Sequence, residues 1–128
     1  MHLSFEEALA RLPGPSGERF VSLWKRGSLT VELYAPRDHD PQSPHRHDEV
    51  YVVFRGEGTF RRGTTRYPFR SGDVLFAAAY EDHAFEDFTS DLAVWVIFYG
   101  PEGGELPSFA GGNVVSPSGI QPTSTPGS

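Results

Sequence analysis

From Arg19 to Tyr99, short stretches with a period of two alternate with breaks rich in Gly, Pro and Asp. No other feature constrains the fold as much. A period of two places alternate side chains on opposite faces of a strand. The reading gives strands over Arg19–Lys25, Leu29–Ala35, His47–Phe54, Thr59–Arg62, Arg66–Phe69, Val74–Ala78, His83–Phe88 and Leu92–Tyr99. Leu29, Val31 and Leu33 share one face of the second. Breaks at Arg26-Gly27, Gly56-Glu57-Gly58, Gly63-Thr64-Thr65 and Arg70-Ser71-Gly72-Asp73 separate them. Short strands at intervals of roughly 8–12 residues indicate a sandwich or a barrel. Fourteen Gly and eleven Pro suit that architecture and not a helical bundle.

Ahead of the strands, Ser4-Phe5-Glu6-Glu7 reads as a capping box. Phe5, Ala8, Leu9 and Leu12 follow at helical spacing, which predicts a short helix over Phe5–Leu12 that covers the core and ends at Pro13-Gly14-Pro15. The expected organisation is a helix and linker over 1–18, an all-β barrel over 19–106, and a tail over 107–128. The tail, rich in Pro, Gly and Ser, is expected to be largely disordered.

Composition removes several functions. The formal net charge of −6 disfavours binding to a phosphate backbone. The longest apolar run, Leu92–Tyr99, is far short of the ~20 residues that span a bilayer. The absence of cysteine excludes disulfides, thiol catalysis and cysteine-ligated metal. The first residues carry no signal-peptide pattern, so the cytoplasm is the expected compartment.

Chemistry concentrates on histidine. His2 and His39 read as solvated. His45 and His47 stand two apart at a strand entrance, and Glu49 and Tyr51 extend the same series. In a straight strand all four project to one side. An inward polar cluster costs several kcal/mol unless it is satisfied, and a divalent cation satisfies imidazoles and a carboxylate together. His83 opens a later strand that a small barrel could aim at the same point.

The stretch Pro44-His45-Arg46-His47-Asp48-Glu49 through Arg55-Gly56-Glu57-Gly58 resembles the first motif of the cupin superfamily: two histidines separated by one residue, a glutamate, then a glycine seven residues on. Gly72-Asp73-Val74 through Asp82-His83 resembles the second. The resemblance covers about Leu29 to Tyr99. It implies a jelly-roll-like antiparallel β-barrel holding one divalent ion (Fe, Mn, Ni, Zn or Cu) through His45, His47, Glu49 and His83. Two departures stand out. Ala78 occupies a turn position where the family usually has proline, and only Asp48 separates His47 from Glu49. A straight strand cannot join His45 and Glu49: four residues span roughly 13–14 Å, beyond the roughly 12 Å that the two side chains and metal bonds of about 2.1 Å can bridge. Either the chain bends near Arg46–Asp48, or three histidines bind and Glu49 is an outer hydrogen-bonding partner.

The resemblance allows a metal-dependent enzyme acting on a small molecule. A dioxygenase is favoured by the aromatic interior, and an isomerase, epimerase or lyase is the alternative. A non-catalytic binding protein and a metal-free storage-type barrel stay open. Tyr51 shares the parity of the cluster and could line the pocket, donate a proton or simply pack. Phe60, Phe76, Phe85, Trp95 and Phe98 could wall a pocket or fill the core. Arg62 or Arg66 could clamp a substrate carboxylate, although a solvated strand face is their ordinary use. Barrel edges often pair between subunits, so a homodimer is expected.

Overall fold

The computed structural model of the chain describes residues 1–106, 109–110 and 113–114. Its first element, α1 (Phe5–Leu9), begins where the capping pattern places it: the Ser4 hydroxyl accepts from the Glu7 N–H at 3.3 Å. The helix is shorter than its apolar spacing predicts. Arg11 and Leu12 bond back only three residues, to Ala8 and Leu9, so the last turn tightens ahead of Pro13. Ala8 is its buried residue.

Eight strands follow: β1 (Phe20–Arg26), β2 (Leu29–Tyr34), β3 (Asp48–Arg55), β4 (Glu57–Arg62), β5 (Thr65–Arg70), β6 (Val74–Ala77), β7 (His83–Glu86) and β8 (Ala93–Tyr99). They form two antiparallel sheets, ordered β1-β2-β8-β3-β6 and β5-β4-β7. This is the all-β, jelly-roll-like barrel expected from the alternation. Within 107–128, β9 (Phe109–Ala110) and β10 (Asn113–Val114) pair with each other. The rest of the expected tail lies outside the described residues.

The turn expected over Gly56-Glu57-Gly58 is confined to Gly56, and β4 starts at Glu57. Gly56 makes the reversal at φ +99°, and a Cβ there would stand 2.7 Å from Leu92 Cα. Only glycine tolerates both conditions.

Strand register fixes what faces inward. Val96 of β8 lies opposite Glu32 of β2 on one side and Tyr51 of β3 on the other; Phe98 lies opposite Glu49, which also pairs with Ala77 of β6. Along β3, Glu49, Tyr51 and Val53 are buried at successive alternate positions. Tyr51 and Val53 meet Phe60, Phe69 and Phe85 of the smaller sheet in one core cluster. Each such aromatic burial contributes about 1.5–3 kcal/mol. Tyr51 is pinned by Phe85 at 4.9 Å and Phe60 at 5.6 Å between ring centroids, both edge-to-face. On the opposite face, Phe5 of α1 stacks on Phe54 at 3.8 Å and meets Trp95 edge-on at 6.2 Å. Of the five aromatics proposed as a pocket wall, Phe60 and Phe85 are therefore core and Trp95 backs the helix.

Candidate metal centre

Of the two alternatives that the spacing leaves open, the chain takes the bend. β3 begins only at Asp48, and Arg46 and His47 form a bend ahead of it. Backbone bonds hold it from outside: Tyr80 N–H to the His45 carbonyl at 2.6 Å and Gly103 N–H to the Arg46 carbonyl at 2.8 Å. The buried Asp48 carboxylate accepts from Ala79 N–H at 2.9 Å and Glu105 N–H at 2.8 Å. Asp48 therefore ties the bend to two neighbouring loops. The result brings His45 Nε2 to 4.0 Å from Glu49 Oε2.

His83, the first residue of β7, completes a group. One ligand atom each from His45, Glu49 and His83 lies within 4.8 Å of the others. Glu49 and His83 are almost fully buried, and His45 is partly exposed. His47 does not join them, which differs from the four-residue set that the motif implies. The bend breaks the parity His47 would share with Glu49 in a straight strand, and its Nδ1 sits 3.0 Å from the Gly100 carbonyl. Glu49, left open between ligand and outer partner, stands inside the group.

Hydrogen-bond accounting shows what this group needs. His83 Nδ1 is 2.7 Å from the Glu81 carbonyl, which can only accept, so Nδ1 carries the hydrogen. A neutral ring then presents a bare Nε2 lone pair, the arrangement found in metal-binding histidines. That Nε2 faces the Tyr51 hydroxyl at 3.0 Å and Glu49 Oε1 at 3.1 Å. Gln42 is oriented by its Nε2, which donates to Asp40 at 2.7 Å, so its Oε1 turns toward the Tyr51 hydroxyl at 3.0 Å. Gln42 Oε1 and His83 Nε2 thus compete for one hydroxyl hydrogen, and Gln42 Oε1 also lies 3.3 Å from His45 Nε2. Glu49 Oε1 is buried and finds no hydrogen-bond partner among the described residues. A positive charge at this point resolves the deficit, and two imidazole nitrogens with a carboxylate form a donor set suited to a divalent transition metal. The residues present fit one ion.

The electrostatics agree. Burial pushes the His83 imidazole down, but Glu49, the Glu81 carbonyl and Asp40 outweigh it and leave its pKa raised. Burial and the Glu49 charge hold the Tyr51 phenol far above its ordinary value, so it remains a hydrogen-bond donor at neutral pH. Tyr34 is shifted the same way by burial and its hydrogen bond to Asp40. Glu32 is raised by burial and by the charge of Glu49.

Several site residues carry no signal in the motifs. Glu81 holds the loop before His83: its carboxylate takes a paired contact from Arg62, at 2.9 and 3.1 Å, and accepts from Ala78 N–H at 3.0 Å. Ala78 needs its N–H for this bond, which a proline would lack. Arg62 is thereby committed to Glu81, and Arg66 to Glu86 at 2.9 Å. Asp40 reaches across the barrel to accept from Phe85 N–H at 2.8 Å. Asp82, flanking His83, pairs instead with Arg61 at 2.8 Å. A cavity of about 500 Å³ adjoins the group, lined by His45, Glu49, Gln42, Glu32, Tyr34 and Phe98 among others.

Fold and site together define an antiparallel barrel with a candidate metal-binding group inside it, and comparison with known proteins gives its family. The family described as the cupin domain matches residues 30–99, and the chain belongs to it. An uncharacterized protein of Streptomyces coelicolor is 32% identical over 85 residues, 65% of this chain and 81% of that one. A cupin-2 domain protein of Shewanella frigidimarina has a similar structure, with TM-score 0.57 and 11% identity over 74% of this chain and 91% of that one. The plu4264 protein of Photorhabdus luminescens gives 0.56 and 16% over 63% and 73%. Fe(II) HppE gives 0.52 and 18% over 66% of this chain and 52% of its own, so the chain spans about half of it. At these identities the structural likeness is one of fold. Among the described residues no helix is long and apolar enough to cross a membrane.

Proposed function

We propose that the protein is a metal-dependent enzyme in which His45, Glu49 and His83 hold one divalent ion, iron(II) by preference, and that its chemistry is of the dioxygenase type on a small organic substrate. The observation that carries this reading is the donor set itself. Two histidines and one carboxylate that leave further positions open are the ligands of non-haem Fe(II) oxygenases. When bound, such an ion offers open positions to a substrate and to dioxygen.

The chain's own residues have definable tasks. Glu81 and Asp40 fix the orientation of His83 and Gln42. Tyr51 keeps its proton and stands 3.0 Å from His83 Nε2, close enough to hydrogen-bond a substrate oxygen held in the site. Tyr34 and Phe98 give the adjoining cavity an aromatic wall that excludes water from part of it. The reading includes a homodimer in solution, which a measured mass tests.

Elemental analysis of the purified protein, followed by oxygen uptake against a substrate panel with and without added iron, tests the function. Iron at one per chain, uptake that depends on it, and loss of both in His83→Ala are expected. Turnover without oxygen, or full metal content in His83→Ala, overturns it.

A further inference from the structure

Glu32 is a carboxylate that the metal group does not use. It sits on the inward face of β2, opposite Val96, and lines both the large cavity and an adjoining one; His45 and Phe98 also line both. It is partly buried, yet among the described residues it makes no hydrogen bond and no ion pair. Cations are nearby without neutralising it. Arg19 lines the large cavity, but its Nε donates to the Ala35 carbonyl at 2.8 Å. Lys25 and Arg46 line the smaller cavity, and neither pairs with Glu32. An unpaired carboxylate on a half-dry wall costs free energy unless a ligand completes it. Tyr34 and Phe98 line the same wall, where the face of either ring would favour a cation.

We propose that Glu32 is the substrate-recognition residue of this cavity and that the ligand presents to it a positively charged nitrogen, as an amine. The inference rests on the reading of this cavity as the substrate chamber, and it names the class of substrate. Glu32 would anchor the amine, leaving the rest of the molecule between Phe98 and the triad.

Three probes of matched size separate the possibilities: 2-phenylethylamine, 2-phenylethanol and 3-phenylpropionate. Their binding to the full chain is measured calorimetrically, once with iron(II) under anaerobic conditions and once after chelator treatment. The amine is expected to bind at least tenfold more tightly than the alcohol in both states, and the carboxylate more weakly than either. Glu32→Gln should erase the preference for the amine, and Glu32→Asp should keep part of it. An amine that binds no better than the alcohol overturns the proposal, as does a preference that survives in Glu32→Gln. Iron content is measured on the same samples. Amine preference without bound iron keeps the Glu32 assignment and removes the iron-enzyme reading; iron without amine preference does the reverse.

Discussion

Glu49 Oε1 stands 3.1 Å from Nε2 of His83, and both residues are buried. The Glu81 carbonyl takes the one ring hydrogen of a neutral His83, and Gln42 competes with its Nε2 for the Tyr51 hydroxyl. The pair therefore asks for a cation. A proton on the imidazole would satisfy it in the metal-free protein, and a divalent ion shared with His45 would satisfy it more fully.

Removing either member should remove the metal. His83→Ala and Glu49→Gln are each expected to lower affinity at least a hundredfold, read as metal per chain after dialysis. His47→Ala should retain metal, because His47 stands outside the group of ligand atoms that lie within 4.8 Å of one another. Loss of metal in His47→Ala equal to that in His83→Ala would return His47 to the ligand set.

Metal affinity should depend on pH in a set direction. His83 has a folded pKa raised above 6.5. In the metal-free protein its proton contributes stability that is fully present below pH 6.5 and is lost as pH rises through the folded value. Metal must displace that proton, so apparent affinity should fall about tenfold per pH unit below the folded value and level off above it. Metal titrations from pH 5.5 to 8 check this, and a flat profile contradicts it.

Glu81 should act on the metal through His83 alone. Glu81→Ala removes the carboxylate that Arg62 and the Ala78 N–H both contact, loosening the loop whose carbonyl orients the imidazole. A drop in metal affinity of about 10–100-fold is expected, with the fold intact by circular dichroism. Glu81→Gln, which can still accept from Ala78, should recover part of it.

Tyr51→Phe deletes the hydroxyl that Gln42 and His83 share. In chelated protein the variant should lose about 1–2 kcal/mol of stability, because a buried acceptor is left without a donor. Urea denaturation measures it. An unchanged midpoint would show that the hydroxyl holds nothing.

Two glycines with positive φ should respond differently to alanine. At Gly56 a new Cβ would meet Leu92 Cα at 2.7 Å, whereas at Gly72 nothing lies within 4 Å. Gly72→Ala should cost about 1–2 kcal/mol from backbone strain alone, and Gly56→Ala about 2–4 kcal/mol through strain plus overpacking. Equal losses in thermal or urea unfolding would contradict the crowding argument.

The sequence by itself determined the barrel and the outline of its site. Alternation in Asp48–Arg55 and Ala93–Tyr99 sets which side chains face inward, because strand parity is a property of neighbouring residues. It also left a choice between a bend from His45 to Glu49 and a set of three histidines, since an extended chain is too long to bring His45 and Glu49 to one ion. Tertiary structure decided which residues meet. His47 left the group when the bend turned it toward Gly100, a residue 53 positions away. Asp40 reached Phe85 across 45 positions, Glu81 took up Arg62, and Glu32 came to share a cavity with Glu49. These contacts depend on sheet order and register, which join strands distant in number, and no spacing along the chain encodes them.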